Sequence, residues 1–225
     1  MDQLFIDVGA ASSSEIAHLG IAIGDSAVLG YRFERLTEDV VLGKALDNRV
    51  GCAMLVQIMK RFARKDDANV VGLFSTFEET GGHGAFAATN RIQPDLAIVL
   101  EGTVAGDVSG VPEARCPSRQ GLGPAITLAD RSAQFSRLLV RTVQEISAEV
   151  GVPCQLKRPI SGGTNAARIH SAAGGVPTVI LSVPCRYIHS AQATSRISDI
   201  EHTAQLAEAV VLRAAEILSV LKSQD

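Results

Sequence analysis

The run from Val70 to Phe86, VVGLFSTFEETGGHGAF, limits what this chain can fold into more than any other stretch. Apolar and β-favouring residues continue to Phe77, two adjacent carboxylates follow, and glycines then turn the chain into an Ala-rich segment that reads as a helix. Carboxylates placed where a buried strand ends cost on the order of a few kcal/mol each unless cations or hydrogen-bond donors offset the burial. The pattern therefore asks for something positive at that strand end, and for other residues that hold it.

With 225 residues the chain is long enough for one large domain, or one domain and a small appendage, around an ample core. The net charge is −3 with acids and bases interspersed, which argues against a nucleic-acid groove or a polybasic membrane surface. A peptide or small molecule is the expected substrate. Cys52, Cys116, Cys154 and Cys185 are far apart and form no C-x-x-C pair, so they read as reduced thiols. The first residues lack a basic region followed by a long apolar one, and no segment has the length of a membrane span, so a cytoplasmic location is expected. Tryptophan is absent and aromatics make up 4%, which disfavours stacking platforms for sugars or bases.

The chain in order reads as a short strand at residues 4–8, a helix capped by Ser12 and running through His18, and loosely alternating segments up to residue 43. An α/β pattern follows. Helices are expected at about 47–64, 82–88, 132–150, 165–170 and 200–221, and strands at 69–77, 96–101, 124–128, 154–156 and 176–181. Strands alternating with helices predict a mainly parallel sheet covered on both faces, with chemistry gathered beyond the carboxyl ends of the strands.

Gly82-x-Gly84-x-x-Ala87 after a strand, with Glu101 ending the next strand, also fits a dinucleotide site. Glu78 and Glu79 oppose that reading, because they stand where a pyrophosphate needs backbone donors and a positive helix end. A metal site asks instead for acids and imidazoles at strand ends and turns. Asp47, Glu78, Glu79, Glu101 and His189 occupy such places. Taken singly, Asp47 reads as a helix cap, Glu101 as a solvated strand end and His189 as a loop residue. Jointly they form a carboxylate-plus-imidazole set suited to zinc, cobalt or manganese, with one unligated carboxylate left to act as a base.

Four blocks carry a resemblance: GKALDNRVG at 43–51, FEETGGHGA at 77–85, SGGTNA at 161–166 and RYIHS at 186–190. In this order and over nearly the whole chain, they resemble the glutamyl/deblocking aminopeptidases that assemble as tetrahedral particles. The resemblance implies a zinc-exopeptidase-like catalytic domain at 44–225 and, at 1–43, the remnant of a small β-rich, PDZ-like dimerisation insert. It implies a homo-oligomeric co-catalytic metallopeptidase that removes N-terminal residues from peptides. Asp47 would bridge two metals, Glu79 and His189 would complete one of them, Glu101 would bind the other, and Glu78 would be the general base. Gly162, Gly163 and Thr164 would lie beside the substrate.

Members of this family carry an early His-x-Asp whose His ligates the metal shared with Glu101, and these 225 residues contain no such pair. The resemblance is thus to a member lacking its N-terminal part, with at most one well-held metal, impaired peptidase activity and an exposed sheet edge. A non-catalytic oligomer-forming relative with a residual metal site is the alternative, and a glucanase-type hydrolase a more distant one.

Overall fold

A computed structural model describes residues 5–63 and 69–223. The chain divides into two compact units, Met1–Gly30 and Tyr31–Asp225. In the first, α1 (Ser13–His18) starts where the sequence places it: Ser12 Oγ accepts from the Glu15 N–H, and the Glu15 carboxylate accepts from the Ala11 N–H at 2.8 Å. Phe5–Val8 forms no strand, and Leu4, the first residue of that expected strand, lies outside the described residues.

The second unit runs β1 (Glu34–Arg35), β2 (Val40–Gly43), α2 (Leu46–Phe62), α3 (His83–Ile92), β3 (Ala97–Val104), β4 (Ala125–Ile126), α4 (Arg137–Glu149), β5 (Gln155–Leu156), α5 (Ala166–His170), β6 (Thr178–Arg186), β7 (Ala193–Arg196), α6 (Ile197–Leu212) and α7 (Ala214–Lys222). Its division begins after Gly30, and β2 pairs with β7, so residues 34–43 share the sheet of this unit. We propose a domain boundary after residue 43 on motif ancestry alone.

The α/β class holds, with one sheet flanked by helices, but the sheet is mixed rather than mainly parallel. β3 and β6 pair in parallel, as do β4 and β5, whereas β1–β2, β2–β7, β6–β7 and β4–β6 are antiparallel. Apolar periodicity reports burial and says nothing of strand direction, which is why the sequence overestimates the parallel share. The expected C-terminal helix is two helices, since Arg213 (φ −107°, ψ 15°) leaves the helical region.

β6 is the centre of the core. Val179 and Leu181 pack with Leu139, Val143 and Ile146 of α4 and Leu206 and Val210 of α6. Val183 and Cys185 continue that face onto Leu46, Val50 and Met54 of α2, while Ile180 points the other way, to Val99, Phe135 and Ala166. A strand covered on both faces is apolar at successive positions, and Thr178–Cys185 is buried throughout. Among the described residues no helix is long and apolar enough to cross a membrane.

The largest departure concerns the stretch that most constrained the sequence reading. Residues 69–77 belong to no strand, and Val71, Leu73, Phe74 and Phe77 are exposed. Val70 packs against the main core, and a Cβ at Gly72 would meet Met59 of α2. An apolar run becomes a strand only where a neighbour completes the ladder, and among the described residues none does so here.

Candidate active site

Asp47 is held at the start of α2 by its neighbour rather than by helix capping. Ala45 caps the helix in the left-handed region without a side-chain bond, Asp47 has φ −87° and ψ 109°, and the Asp47–Asn48 peptide is cis. The Asn48 side chain donates to the Leu100 carbonyl at 2.8 Å and accepts from the Gly51 N–H at 3.0 Å, which ties α2 to β3 one residue before Glu101. A Cβ at Gly51 would lie 2.5 Å from the Leu100 carbonyl oxygen, so only glycine permits this approach. Asp47 itself lies over β3, where a Cβ at Gly102 would meet it at 3.5 Å. Asn48 was overlooked in the sequence, although its adjacency to Asp47 and the glycine three residues on were the available signal.

His189 arrives from the β6–β7 connection. The Arg186 guanidinium forms a two-pronged pair with Asp107, at 3.0 and 2.7 Å, and fixes the end of β6. Tyr187 and His189 both adopt positive φ, and Ser190 Oγ donates to the Tyr187 and Gln192 carbonyls. His189 Nε2 then lies 2.9 Å from Asp47 Oδ2. The loop reading of His189 is right, but its partner is a carboxylate and not backbone.

Glu78 and Glu79 sit in the turn before α3. The Gly81 N–H donates to the Glu78 carbonyl, the Gly82 N–H donates to that of Phe77 at 2.7 Å, and Arg168 of α5 donates to the Gly81 carbonyl at 2.8 Å. Asn165 reaches Ser75 Oγ at 3.0 Å, so α5 and the 161–164 turn brace the acidic turn from one side. Glu101, on β3, is 6% exposed, and among the described residues nothing donates a hydrogen bond to its carboxylate.

These acids feel one another. Burial pushes the Glu101 carboxyl up to about 8, the charges of Asp47 and Glu78 add to the rise, Lys157 opposes it, and Glu79 adds to it again. Burial likewise raises Glu78, with Glu79 and Asp47 contributing and His189 opposing. Asp47 is raised by burial against the opposing charge and hydrogen bond of His189. The fold thus brings all five predicted residues into one electrostatic neighbourhood. Among the described residues, no three of them converge closely enough to hold an ion as they stand. The donor set nevertheless fits a divalent cation in its chemistry: a buried carboxylate without a donor, further carboxylates that repel it, and an imidazole on Asp47. Gly162 and Gly163 form a turn closed by the Arg131 N–H donating to the Gly162 carbonyl at 2.8 Å, and Thr164 Oγ1 accepts from the Ala166 N–H. Lys157, which the sequence reading missed, faces this turn.

The sequence pattern of the M42 glutamyl aminopeptidases matches residues 1–206. The chain belongs to that family. FrvX of Escherichia coli (strain K12) is 36% identical over 189 residues, which are 84% of this chain and 53% of FrvX. Among solved structures, the TET aminopeptidase of Thaumarchaeota archaeon SCGC AB-539-E09 superposes with a TM-score of 0.90 at 31% identity, over 95% of this chain and 61% of that one. The TET1 peptidase of Pyrococcus horikoshii superposes at 0.78 and 30% identity, over 91% and 59%. This chain therefore spans 53% to 61% of the length of these relatives. The helix-flanked mixed sheet is the fold of these aminopeptidases.

Proposed function

We propose that this chain is the catalytic portion of a metal-dependent aminopeptidase. The observation that carries the reading is Glu101: a carboxylate 6% exposed with no donor, beside Asp47, Glu78 and Glu79, is a strained arrangement that a divalent cation relieves. Asp47, Glu79 and His189 would hold one ion, of zinc, cobalt or manganese, and Asp47 with Glu101 supplies only two ligands for a second. Such an ion polarises a peptide carbonyl and lowers the pKa of water. Glu78, half-buried and raised, accepts a proton from water as its oxygen bonds to the scissile carbonyl carbon. It then returns that proton to the departing amine nitrogen as the C–N bond breaks. The Gly162–Gly163 turn, without side chains, lets the peptide backbone approach.

Metal analysis after saturation and desalting should give no more than one tightly held ion per chain. Residual hydrolysis of aminoacyl p-nitroanilides should disappear with a chelator and return with the metal. Two tightly held ions would remove the one-ion assignment, and activity indifferent to chelation would sink the metal-dependent reading.

The Pyrococcus horikoshii TET1 peptidase is described as assembling into a tetrahedron or an octahedral shell. We extend self-association to this chain, because Val71, Phe74 and Phe77 lie exposed on a segment that has no ladder partner among the described residues. Light scattering at micromolar concentration should report more than one chain per particle; a strict monomer would remove this part of the proposal.

A further inference from the structure

His189 stands on a connection that its own backbone does not favour. Tyr187 and His189 lie in the left-handed region, at φ 59° and 61°, which a residue with a Cβ occupies at a cost that its surroundings must offset. The imidazole is largely exposed, so packing does not fix it either. The connection is held by a ring of polar bonds around its two ends. Arg186, at the end of β6, pairs with Thr194 of β7 across the ladder. The Arg186 guanidinium donates to both oxygens of Asp107, and Asp107 Oδ2 also accepts from the Gln120 N–H at 3.1 Å. The Gln120 side chain in turn donates to the Thr194 carbonyl at 2.8 Å. The ring is therefore closed: it passes from one strand through Asp107 and Gln120 to the other, and back across the ladder.

Asp107 is the member that serves two partners, and its side chain is mostly buried. Burial raises this carboxyl, but the Arg186 bonds and the Gln120 N–H together hold it below its ordinary value, so it is charged at neutral pH. Asp107 also continues the chain from β3, which carries Glu101. The Ala105 N–H donates to the Cys185 carbonyl and the Gly106 N–H to that of Ser118, each at 2.9 Å. A Cβ at Gly106 would lie 2.7 Å from the Cys116 Cα, so only glycine lets the chain pass here. One carboxylate thus joins the stretch that follows Glu101 to the connection that bears His189.

We propose that Asp107 is a positioning residue for His189: through Arg186 and Gln120 it sets the connection between β6 and β7 so that the imidazole meets Asp47, where Nε2 lies 2.9 Å from Oδ2. The proposal rests on the metal-dependent reading above, in which His189 is a ligand. A ligand confined in advance loses less freedom when an ion binds, whereas a connection released from the ring spreads over other backbone states. A carboxylate is the partner that satisfies both prongs of a guanidinium; an amide in its place offers one acceptor and turns a donor toward Arg186.

Zinc affinity of the full chain, measured by competition with a chromogenic chelator, reads this contact without relying on turnover. Asp107→Asn should weaken zinc binding about tenfold, the size of loss that follows when a group orienting a ligand is removed. His189→Ala should weaken it further, and the double variant should bind zinc no worse than His189→Ala alone, because Asp107 acts through the imidazole. Arg186→Lys, which keeps the charge but not the fork, should fall between the parent and Asp107→Asn. Gln120→Leu removes the bond to Thr194 and should weaken zinc about threefold, as for one hydrogen bond, and it takes the place of Asp107→Asn in the cycle if that variant does not fold. Melting of the metal-free variants reports folding. Equal zinc affinity in the parent and in folded Asp107→Asn overturns the proposal, and so does a loss that persists in full without His189, since the ring would then act on the fold as a whole. If His189→Ala binds zinc as the parent does, or the parent binds none, the metal assignment falls together with the proposal.

Discussion

Glu78→Gln should lower turnover of aminoacyl substrates on the order of a thousandfold while leaving bound metal unchanged, because a general base supplies a factor of that size and the amide cannot take the proton. The two adjacent acids separate under this test. Glu79→Gln removes a proposed ligand and should lower metal content as well as rate, whereas Glu78→Gln should affect the rate alone. The pH dependence follows from the electrostatics. Burial, then the Glu79 and Asp47 charges, raise the Glu78 carboxyl above its ordinary value, and a base works only when deprotonated. In the metal-free chain the Glu78 carboxyl should therefore titrate above the usual glutamate range, and a bound divalent cation should bring it down. Unchanged turnover in that variant would remove Glu78 from the mechanism.

The second large effect concerns stability in the presence of chelator. Glu101 has a folded-state pKa raised from 4.5 to about 8, chiefly by burial and then by Asp47 and Glu78. Below pH 4.5 both folded and unfolded chains hold this proton and the group makes no difference. Between pH 4.5 and 8 the unfolded chain releases it while the folded chain keeps it, so stability falls as pH rises and the full loss is reached above the folded value. The shift corresponds to a loss on the order of 5 kcal/mol. Glutamine has no proton to lose. Glu101→Gln should accordingly melt higher than the parent chain at pH 8.5, by roughly 10 °C for a protein of this size, and close to it at pH 5. A melting difference independent of pH would show that Glu101 is not held under this strain.

Much of the fold was legible locally. The cap at Ser12, the apolar face of α2, the continuous apolar run of β6 and the amphipathic α4 are written in residues close in sequence; α1 and α2 form near their expected bounds, whereas β6 runs on five residues past its expected end and α4 starts five residues after its expected start. Three short strands, β1, β2 and β7, were not expected, because two to four residues carry too little periodicity to register. The break at Arg213 was likewise invisible, since the apolar spacing continues across it.

The candidate site shows the same division. Motif spacing singled out Asp47, Glu78, Glu79, Glu101 and His189, and family membership makes that choice intelligible; their individual roles stay with the experiments above. Sequence could not say that Asp47 is pinned through Asn48 to β3 or that His189 meets Asp47 at 2.9 Å. Lys157 escaped notice because a lone lysine after a two-residue strand has no local signature. Its relation to Gly162 exists only once β4 and β5 are paired.

By itself, the sequence determined which segments are apolar, where the chain turns and which family it joins, because these depend on residues within a few positions of one another. Tertiary structure decided strand direction and the partners of each acid. It also decided that residues 69–77 stand outside the sheet despite their strand-like composition. Ladder hydrogen bonds and carboxylate repulsion act between residues far apart in sequence, and only the folded backbone sets those distances.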